Sequence, residues 1–422
     1  MFSSIFINAL LFVLLLADLI KPQDKIFIPM DLSQTDHLKS YGITFRALEK
    51  GYKADWLLNY RGGSFLIDYS DETAKECLIN GVKFEKISGT AAIKIYSEVQ
   101  DENNNMDVIR LEKAPKIAVY VPPGFQPWDD AVTLALEYAK VPYEKIWNDE
   151  ILKGELSKYD WLHLHHEDFT GQYGKFYASF SNAHWYIEQQ MLYEKIAAKN
   201  GFRKVSEMMK EVTRTIKYFV GNGGFLFAMC SATDSYDIAL AAENVDICAP
   251  MYDGDAADQN AQAKLDFSKT FAFTDFKLEM NPYIYEYSDI DIQPNEIGNM
   301  ENDYFTLFDF SAKYDPVPTM LTQCHTNVIR GFMGQTTMFR KELIKSSVVI
   351  LAERQNTNQV RYIHGNFGRG TFTFYGGHDP EDYQHLVGED PTDLNLHKNS
   401  PGYRLILNNI LFPAATKKKQ KT

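Results

Sequence analysis

The sequence predicts an α/β protein with a mostly parallel sheet, a smaller N-terminal α/β unit and an irregular insert. Three observations carry this expectation. Phe225 to Met229 is an apolar strand that runs straight into a helix near Ser231, and a helix pattern over roughly 205–220 precedes it, broken off by Gly221, Gly223 and Gly224. Helix, strand, helix is the grammar of a parallel sheet. Lys116 to Val121 is almost continuously apolar, as a strand covered on both faces must be. Asp101-Glu102-Asn103-Asn104-Asn105 is a polar break between two segments of strand and helix patterns.

The elements follow in order. Residues 25–31 read as a first strand, 37–50 as a helix stopped by Gly51, and 54–59 and 64–69 as strands about the turn Arg61-Gly62-Gly63. A short helix over 72–80 and strand pieces at 82–87 and 92–97 complete an N-terminal unit spanning 24–112. The second unit spans 115–412. Its strand at 116–121 is followed by a helix over 128–140, strands at 143–147 and 160–166, an aromatic insert near 170–200, then the helix–strand–helix segment. Residues 240–340 lack helical periodicity and read as an insert elaborating the sheet. Strands return at 347–352, 360–364 and 371–375, and Gly402 to Leu411 forms a last helix.

Of the 422 residues 45% are hydrophobic, enough for a large core, and the net charge of −13 argues against a nucleic-acid partner. Phe2 to Ala17 is an apolar run too short to span a bilayer, closed by Lys21 and Pro22, and it reads as an export signal removed around residues 17–23. The expected product is an exported, periplasmic protein with no membrane span in its mature chain and a solvated basic tail over 413–422. Cys77, Cys230, Cys248 and Cys324 form no metal-type pair.

In open parallel sheets, sites form at the C-terminal ends of the strands. Three predicted strands end there in reactive residues: one at Cys230, one at His378 followed by Asp379 and Glu381, and one in His165-His166-Glu167-Asp168. Ala228 and Ala232 flank Cys230 at the offsets where a sharp nucleophile-bearing turn needs small side chains. A thiol over a helix N-terminus is favoured as thiolate. The expected catalytic set is therefore Cys230 as nucleophile, His378 as base, Asp379 or Glu381 as its orienter, and the Ser231 N–H as oxyanion donor. His165, His166, Glu167, Asp168 and Asp234 would line the substrate pocket. His163 and His165 share a strand face, and with His166 they are candidate ligands for a divalent metal; otherwise no cofactor is expected. The bland alternative makes Cys230 a small buried apolar residue and the histidines packing groups.

The turn at Cys230 resembles that of class I glutamine-amidotransferase-like proteins, and the run Gly368-Arg369-Gly370-Thr371-Phe372-Thr373-Phe374-Tyr375-Gly376-Gly377-His378-Asp379-Pro380-Glu381 resembles their trehalose-utilisation (ThuA-like) branch. The likeness covers roughly 115–240 and 345–412 and implies a flavodoxin-like sheet. The whole chain also resembles exported bacterial proteins often labelled asparagine synthetase B, through Trp161 to Tyr173, Phe227 to Ala242 and Tyr375 to Leu386. That label implies a Cys directly after the initiator and an SGGxDS-type ATP loop; Phe2 follows Met1 here, and the loop string does not occur. The amidotransferase pattern also implies Gly where Ala228 and Ala232 stand, and Glu where Pro380 stands.

Two further expectations concern ligands. Tyr173, Phe176, Tyr177, Phe180, Trp185 and Tyr186 could form a platform for a small molecule or carbohydrate, or simply pack. Asp253, Asp255 and Asp258 could bind calcium or form a solvated turn; their spacing is not that of an EF-hand. A non-catalytic cell-envelope binding protein is the second functional class compatible with the sequence, and the oligomeric state is not encoded legibly.

Overall fold

The computed structural model describes residues 23–123, 130–292, 294–298, 303–315, 317–384 and 389–416. The expected export signal, and the part of the expected basic tail beyond residue 416, lie outside them.

Two sheets organise the chain. The first comprises β1 (Lys25–Ile28), β2 (Ala54–Leu58), β3 (Ser64–Asp68), β4 (Glu85–Ile87) and β5 (Asp107–Leu111), in the order β4-β1-β3-β2-β5, and every pairing is antiparallel. The second contains β6 (Ile117–Tyr120), β7 (Glu144–Ile146), β8 (Trp161–Leu164), β9 (Phe225–Met229), β10 (Tyr304–Leu307), β11 (Val328–Arg330), β12 (Phe339–Arg340), β13 (Val349–Glu353), β14 (Gln359–Phe367) and β15 (Gly370–Tyr375). Its order is β11-β10-β13-β14-β15-β9-β8-β6-β7, with β12 on β14. The block β15-β9-β8-β6-β7 is parallel, whereas β10 to β14 join antiparallel. The sheet is thus mixed rather than mostly parallel. The sequence pattern of β14 and β15 does not reveal this, because a strand buried on both faces looks alike in either pairing. The 240–340 insert supplies β10, β11 and β12.

The longer helices are α1 (His37–Glu49), α2 (Asp71–Asn80), α3 (Gly89–Gln100), α4 (Ala131–Ala139), α5 (His184–Lys199), α6 (Val205–Gly221), α7 (Ala232–Ala241) and α8 (Pro401–Leu411). One expectation at the N-terminal unit fails. Residues 92–97, read as a strand, lie in α3: the Ser88 side chain accepts from Ala91 N and starts the helix, a cap worth about 1 kcal/mol. Beyond the polar run at 101–105, Asp107 begins β5, a strand of the first sheet that the sequence pattern does not reveal.

Alternation along the second sheet explains the layers. Val119, Trp161, Phe227, Met229 and Tyr375 face a core that also contains α1, α4, α8 and the first sheet's Ile26, Trp56 and Phe65. Ala118, Leu162, Leu226, Ala228, Phe372 and Phe374 face the opposite core, with α6 and α7. Helices α1, α4 and α8 are therefore the filling between the two sheets. His163 and His165, in register with Trp161, point to that inner side, towards the start of α4.

Candidate active site at the strand ends

Cys230 lies between β9 and α7 with φ of +50°, a left-handed backbone that costs a non-glycine residue about 1–2 kcal/mol. The neighbouring strand ends hold it there. Cys230 N donates to Gly377 O (3.1 Å), beyond β15, and Ala232 N donates to His165 O (3.0 Å), beyond β8. Thr233 donates to Cys230 O from its backbone N (3.1 Å) and from Oγ1 (2.7 Å). Gly377 has φ of +99°, and a Cβ there would meet the Phe332 ring at 2.4 Å; the closing residue beside the turn must be glycine.

Cys230 is 2% exposed, and its sulfur accepts from Gln335 N (3.3 Å). Burial pushes the thiol up to about 11, although the backbone N–H groups of Thr336, Gln335 and Ser231 favour the thiolate. The Gln335 side chain closes the lid: its Nε2 donates to Gly174 O (2.8 Å) and Tyr285 O (3.1 Å). Three loops thus meet over the sulfur. The 171–175 loop is itself constrained, with positive φ at Gly171, Tyr173, Gly174 and Lys175. Asp168 latches it, accepting from Thr170 N (2.6 Å) and Gly174 N (3.1 Å).

From the strand ends that flank the Cys230 turn runs a chain of buried polar groups. His378 Nδ1 lies 3.0 Å from His165 Nε2. His165 Nδ1 stands 3.2 Å from Asp130 Oδ1, at ion-pair distance but off the line of a hydrogen bond. Asp130 also contacts His163 Nε2 (3.1 Å), while His163 Nδ1 lies against Phe227 O (3.1 Å). Asp130 caps α4, accepting from Val132 N (2.7 Å) and Thr133 N (3.1 Å). Burial alone would raise its carboxyl, but His163 and His165 outweigh it and hold it well below the usual range. Burial lowers His165, against the pull of Asp130. A carboxylate facing His165 Nδ1 favours the proton on that nitrogen. His165 Nε2 then accepts from His378 Nδ1–H, and the lone pair of His378 resides on Nε2, as a base or a metal ligand requires.

The structure therefore brings Cys230, Ser231, His165 and His378 to one rim. The two expected orienters are engaged elsewhere. Asp379 Oδ2 accepts from Tyr403 OH on α8 (2.7 Å), and Glu381 Oε2 pairs with His397 Nδ1 (2.9 Å). Glu167 and Asp234 are buried and serve local structure: Glu167 Oε2 accepts from His165 N (3.0 Å), and Asp234 Oδ1 accepts from Thr336 Oγ1 (2.8 Å). Burial raises both, Asp234 to about 7. His166 is exposed, and its ring centroid is 5.8 Å from that of His378.

Metal-type donors occur in two groups here, His165–His166–His378 and Asp130–His163–His165, each with ligand atoms within 4.8 Å of one another. At the acidic turn, Lys204 Nζ occupies the centre, 2.8 Å from Asp246 and 3.1 Å from Asp253, and it also pairs with Asp255; Asp258 pairs with Lys264 (3.1 Å). The insert aromatics pack on one another, Phe176 against Trp185 at 5.6 Å and Tyr285 at 5.5 Å. Tyr173 and Tyr186 are buried, and Trp185 and Tyr285 remain partly exposed beside the lid.

Sequence reasoning missed Asp130 and Gln335. An Asp before an apolar run is an N-cap signal, but the helix was expected to start at residue 128, which hid it. Gln335 sits in a segment without periodicity, and only the fold brings it to the thiol.

No family model matches the chain, and no curated protein matches it. Among solved structures it is similar to Cytoplasmic Protein STM3548 from Salmonella typhimurium, at 10% identity and TM-score 0.34 over 72% of this chain and 100% of that one. It is similar to Cytoplasmic Protein STM1381 from Salmonella typhimurium LT2 at 9% and 0.37, over 71% and 100%. A third likeness, to the exo-beta-1,4-mannosidase Op5Man5 from Opitutaceae bacterium strain TAV5, is at 12% and 0.25, over 62% and 31%. Likenesses of this degree carry no argument about fold or function.

Proposed function

We propose that this chain is an exported thiol-dependent hydrolase of the amide or ester class, with Cys230 as nucleophile, His378 as base, and His165 with Asp130 as the groups that orient the base. The observation that supports it most is the left-handed backbone at Cys230, a strained position held for a reactive side chain at the turn between a strand and a helix. The resemblance of the Cys230 turn and the His378 strand end to amidotransferase-like proteins agrees with this reading.

The chemistry balances with these groups. The sulfur attacks the substrate carbonyl carbon as its proton passes to His378 Nε2. The bond to the leaving amine or alcohol breaks as that proton moves on to the leaving group, and water then hydrolyses the thioester. Backbone N–H groups about the sulfur, including that of Ser231, stabilise the oxyanion. The buried thiol at about 11 belongs to the closed arrangement, so turnover requires displacement of the Gln335 lid.

The test is the rate at which iodoacetamide modifies Cys230 relative to Cys77, Cys248 and Cys324 in the native protein. The expected result is a rise of about tenfold at Cys230 in Gln335→Ala, to a rate above those of the other thiols, and a fall from that rate when His378→Gln is added. Modification of Cys230 no faster than the others in both the wild type and Gln335→Ala would retire the reading in favour of a non-catalytic binding protein.

A second reading is favoured by the donor group His165–His166–His378. A divalent metal on these imidazoles would displace the contact between His165 Nε2 and His378 Nδ1, and it would supply Lewis-acid activation of water. Metal analysis of the purified chain, repeated on His166→Ala, decides it: stoichiometric metal lost in the variant supports the metal-dependent hydrolase.

A further inference from the structure

Two backbone carbonyls over the thiol converge on a single nitrogen. Gln335 N donates to the Cys230 sulfur (3.3 Å). From there the Gln335 side chain extends to Gly174 O (2.8 Å) and Tyr285 O (3.1 Å), both of which accept from Nε2. The carbonyls belong to different segments. Gly174 lies in the loop that Asp168 latches. Tyr285 lies in an excursion over 278–288, closed at its base by the Leu278–Ser288 bridge and the bond from Glu279 N to Tyr287 O (2.9 Å). The nitrogen thus sits at the seam between two segments, one glutamine side chain away from the sulfur, and its bond to Tyr285 O is exposed.

The seam has the charge and the surface that suit an ammonium. Next to Gly174, Lys175 Nζ donates to two more carbonyls of the same excursion, Glu279 O (2.8 Å) and Asn281 O (3.2 Å), so paired carbonyls already hold one ammonium here. The carboxylates of Asp168, Glu279 and Glu286 stand in the electrostatic surroundings of that ammonium, and Glu286 and Asp291 stand in those of Tyr285. Negative charge is therefore in excess along the seam. The Phe176 and Tyr285 rings, 5.5 Å apart, add the aromatic faces that attract a cation.

We infer that Gly174 O and Tyr285 O form a subsite for a primary ammonium, held by Gln335 in the closed arrangement and by the substrate in the open one. The substrate class this names is an amide or ester that carries a primary amine near its scissile carbonyl. An ammonium binds carbonyls through charge-assisted hydrogen bonds, stronger than those of the neutral Gln335 amide, so such a substrate displaces the side chain that covers the thiol. The subsite rests on the reading of Cys230 as nucleophile.

Three methanethiosulfonates, aminoethyl, trimethylammonioethyl and methyl, test the subsite on Gln335→Ala, in which the two carbonyls lose their partner. With each, the Cys230 thiolate forms a mixed disulfide with the transferred sulfur as methanesulfinate leaves. Each rate is divided by that of the same reagent with free mercaptoethanol. The aminoethyl reagent should modify Cys230 about tenfold faster than the trimethylammonioethyl reagent, which has the charge but no N–H, and faster than the methyl reagent. Gln335→Ser takes the place of the alanine variant if that chain does not fold. Equal relative rates for the two cationic reagents, with Cys230 still the fastest thiol, would overturn the subsite and leave the nucleophile standing. Cys230 no faster than the other thiols with every reagent would retire the nucleophile, and the subsite with it.

Discussion

Two histidine pairs in the molecule, one at the rim of the large sheet and one between the sheets, are built for different ends. At the rim, His165 and His378 meet nitrogen to nitrogen at 3.0 Å, and the Asp130 carboxylate behind His165 gives the pair a direction. Between the sheets, His37 and His325 stack face to face, with centroids 4.2 Å apart and planes at 14°. His37 is spent on structural acceptors, Asn399 Oδ1, Met30 O and Asp31 O, all at 3.0 Å. A guanidinium, not a carboxylate, stands beside this second pair: Arg404 donates to Met30 O (3.0 Å), Tyr41 OH (2.9 Å) and Gly62 O. The same side chains thus make a directed relay in one place and a tie between layers in the other. The difference lies in the charge of the neighbour and in whether a lone pair is left to use.

The largest expected effect separates the two pairs by stability. Arg404 is fully buried and joins α8 to the first sheet, so Arg404→Met strands the carbonyls of Met30 and Gly62. The loss should be about 3–5 kcal/mol in urea unfolding. A loss below about 1 kcal/mol would show that the apolar core alone holds the layers.

Acid should sharpen the contrast. Burial, aided by the charge of Arg404, lowers His37 to about 4, and burial with His37 and Arg404 lowers His325 to about 3. Both are depressed below 6.5, so the unfolded chain takes up protons first. The contribution of these two rings should therefore fall as pH drops from about 6.5 towards 4, by on the order of 3 kcal/mol for His37, against the opposite trend of the raised carboxyl of Asp234. Asp130 acts in the same direction but at lower pH: its lowered carboxyl contributes fully above the ordinary value of 3.8 and is lost only in stronger acid. His325→Phe keeps a stacked ring and removes one titrating group and its coupling to His37. The loss of stability between pH 6.5 and 4 should become smaller than in the wild type, and an unchanged pH dependence would assign it to other buried groups, such as His364, which burial lowers to about 3.

The relay can be broken without touching the thiol. Asp130→Asn keeps a capping side chain on α4 but removes the charge facing His163 and His165. A destabilisation of about 2 kcal/mol at neutral pH is expected, together with slower modification of Cys230. Normal modification in a folded Asp130→Asn variant would detach Asp130 from the base.

What the sequence made legible follows from where local pattern decides structure. The turn at Cys230, the strand ending at His378 and the shared face of His163 and His165 all rest on short-range signals: apolar runs, small flanking residues and alternation. The convergence of the three strand ends followed from strand-end logic alone. The antiparallel half of the large sheet, the β5 strand after the polar run at 101–105, and α3 did not, because pairing direction and the choice between short helix and strand are decided by tertiary neighbours. The orienting carboxylate was sought by proximity in sequence, at Asp379 and Glu381. The carboxylate that the fold sets against His165 is instead Asp130, at the start of a helix on the inner side of the sheet, a non-local contact that spacing does not encode.

That substitution of one carboxylate for another is open to a direct contrast of small effects. Glu381 is an ion-pair partner of His397, whose side chain is 34% exposed, and such a pair is worth about 0–1 kcal/mol. Glu381→Gln should therefore change unfolding free energy by less than about 1 kcal/mol and leave the modification rate of Cys230 where it was, while Asp130→Asn lowers it. The reverse result, a slowed thiol in Glu381→Gln and a normal one in Asp130→Asn, would return the orienting role to the residue that adjacency in sequence suggested. It would also mean that His378 swings away from His165 when it works, because His378 now meets His165 and Glu381 faces His397.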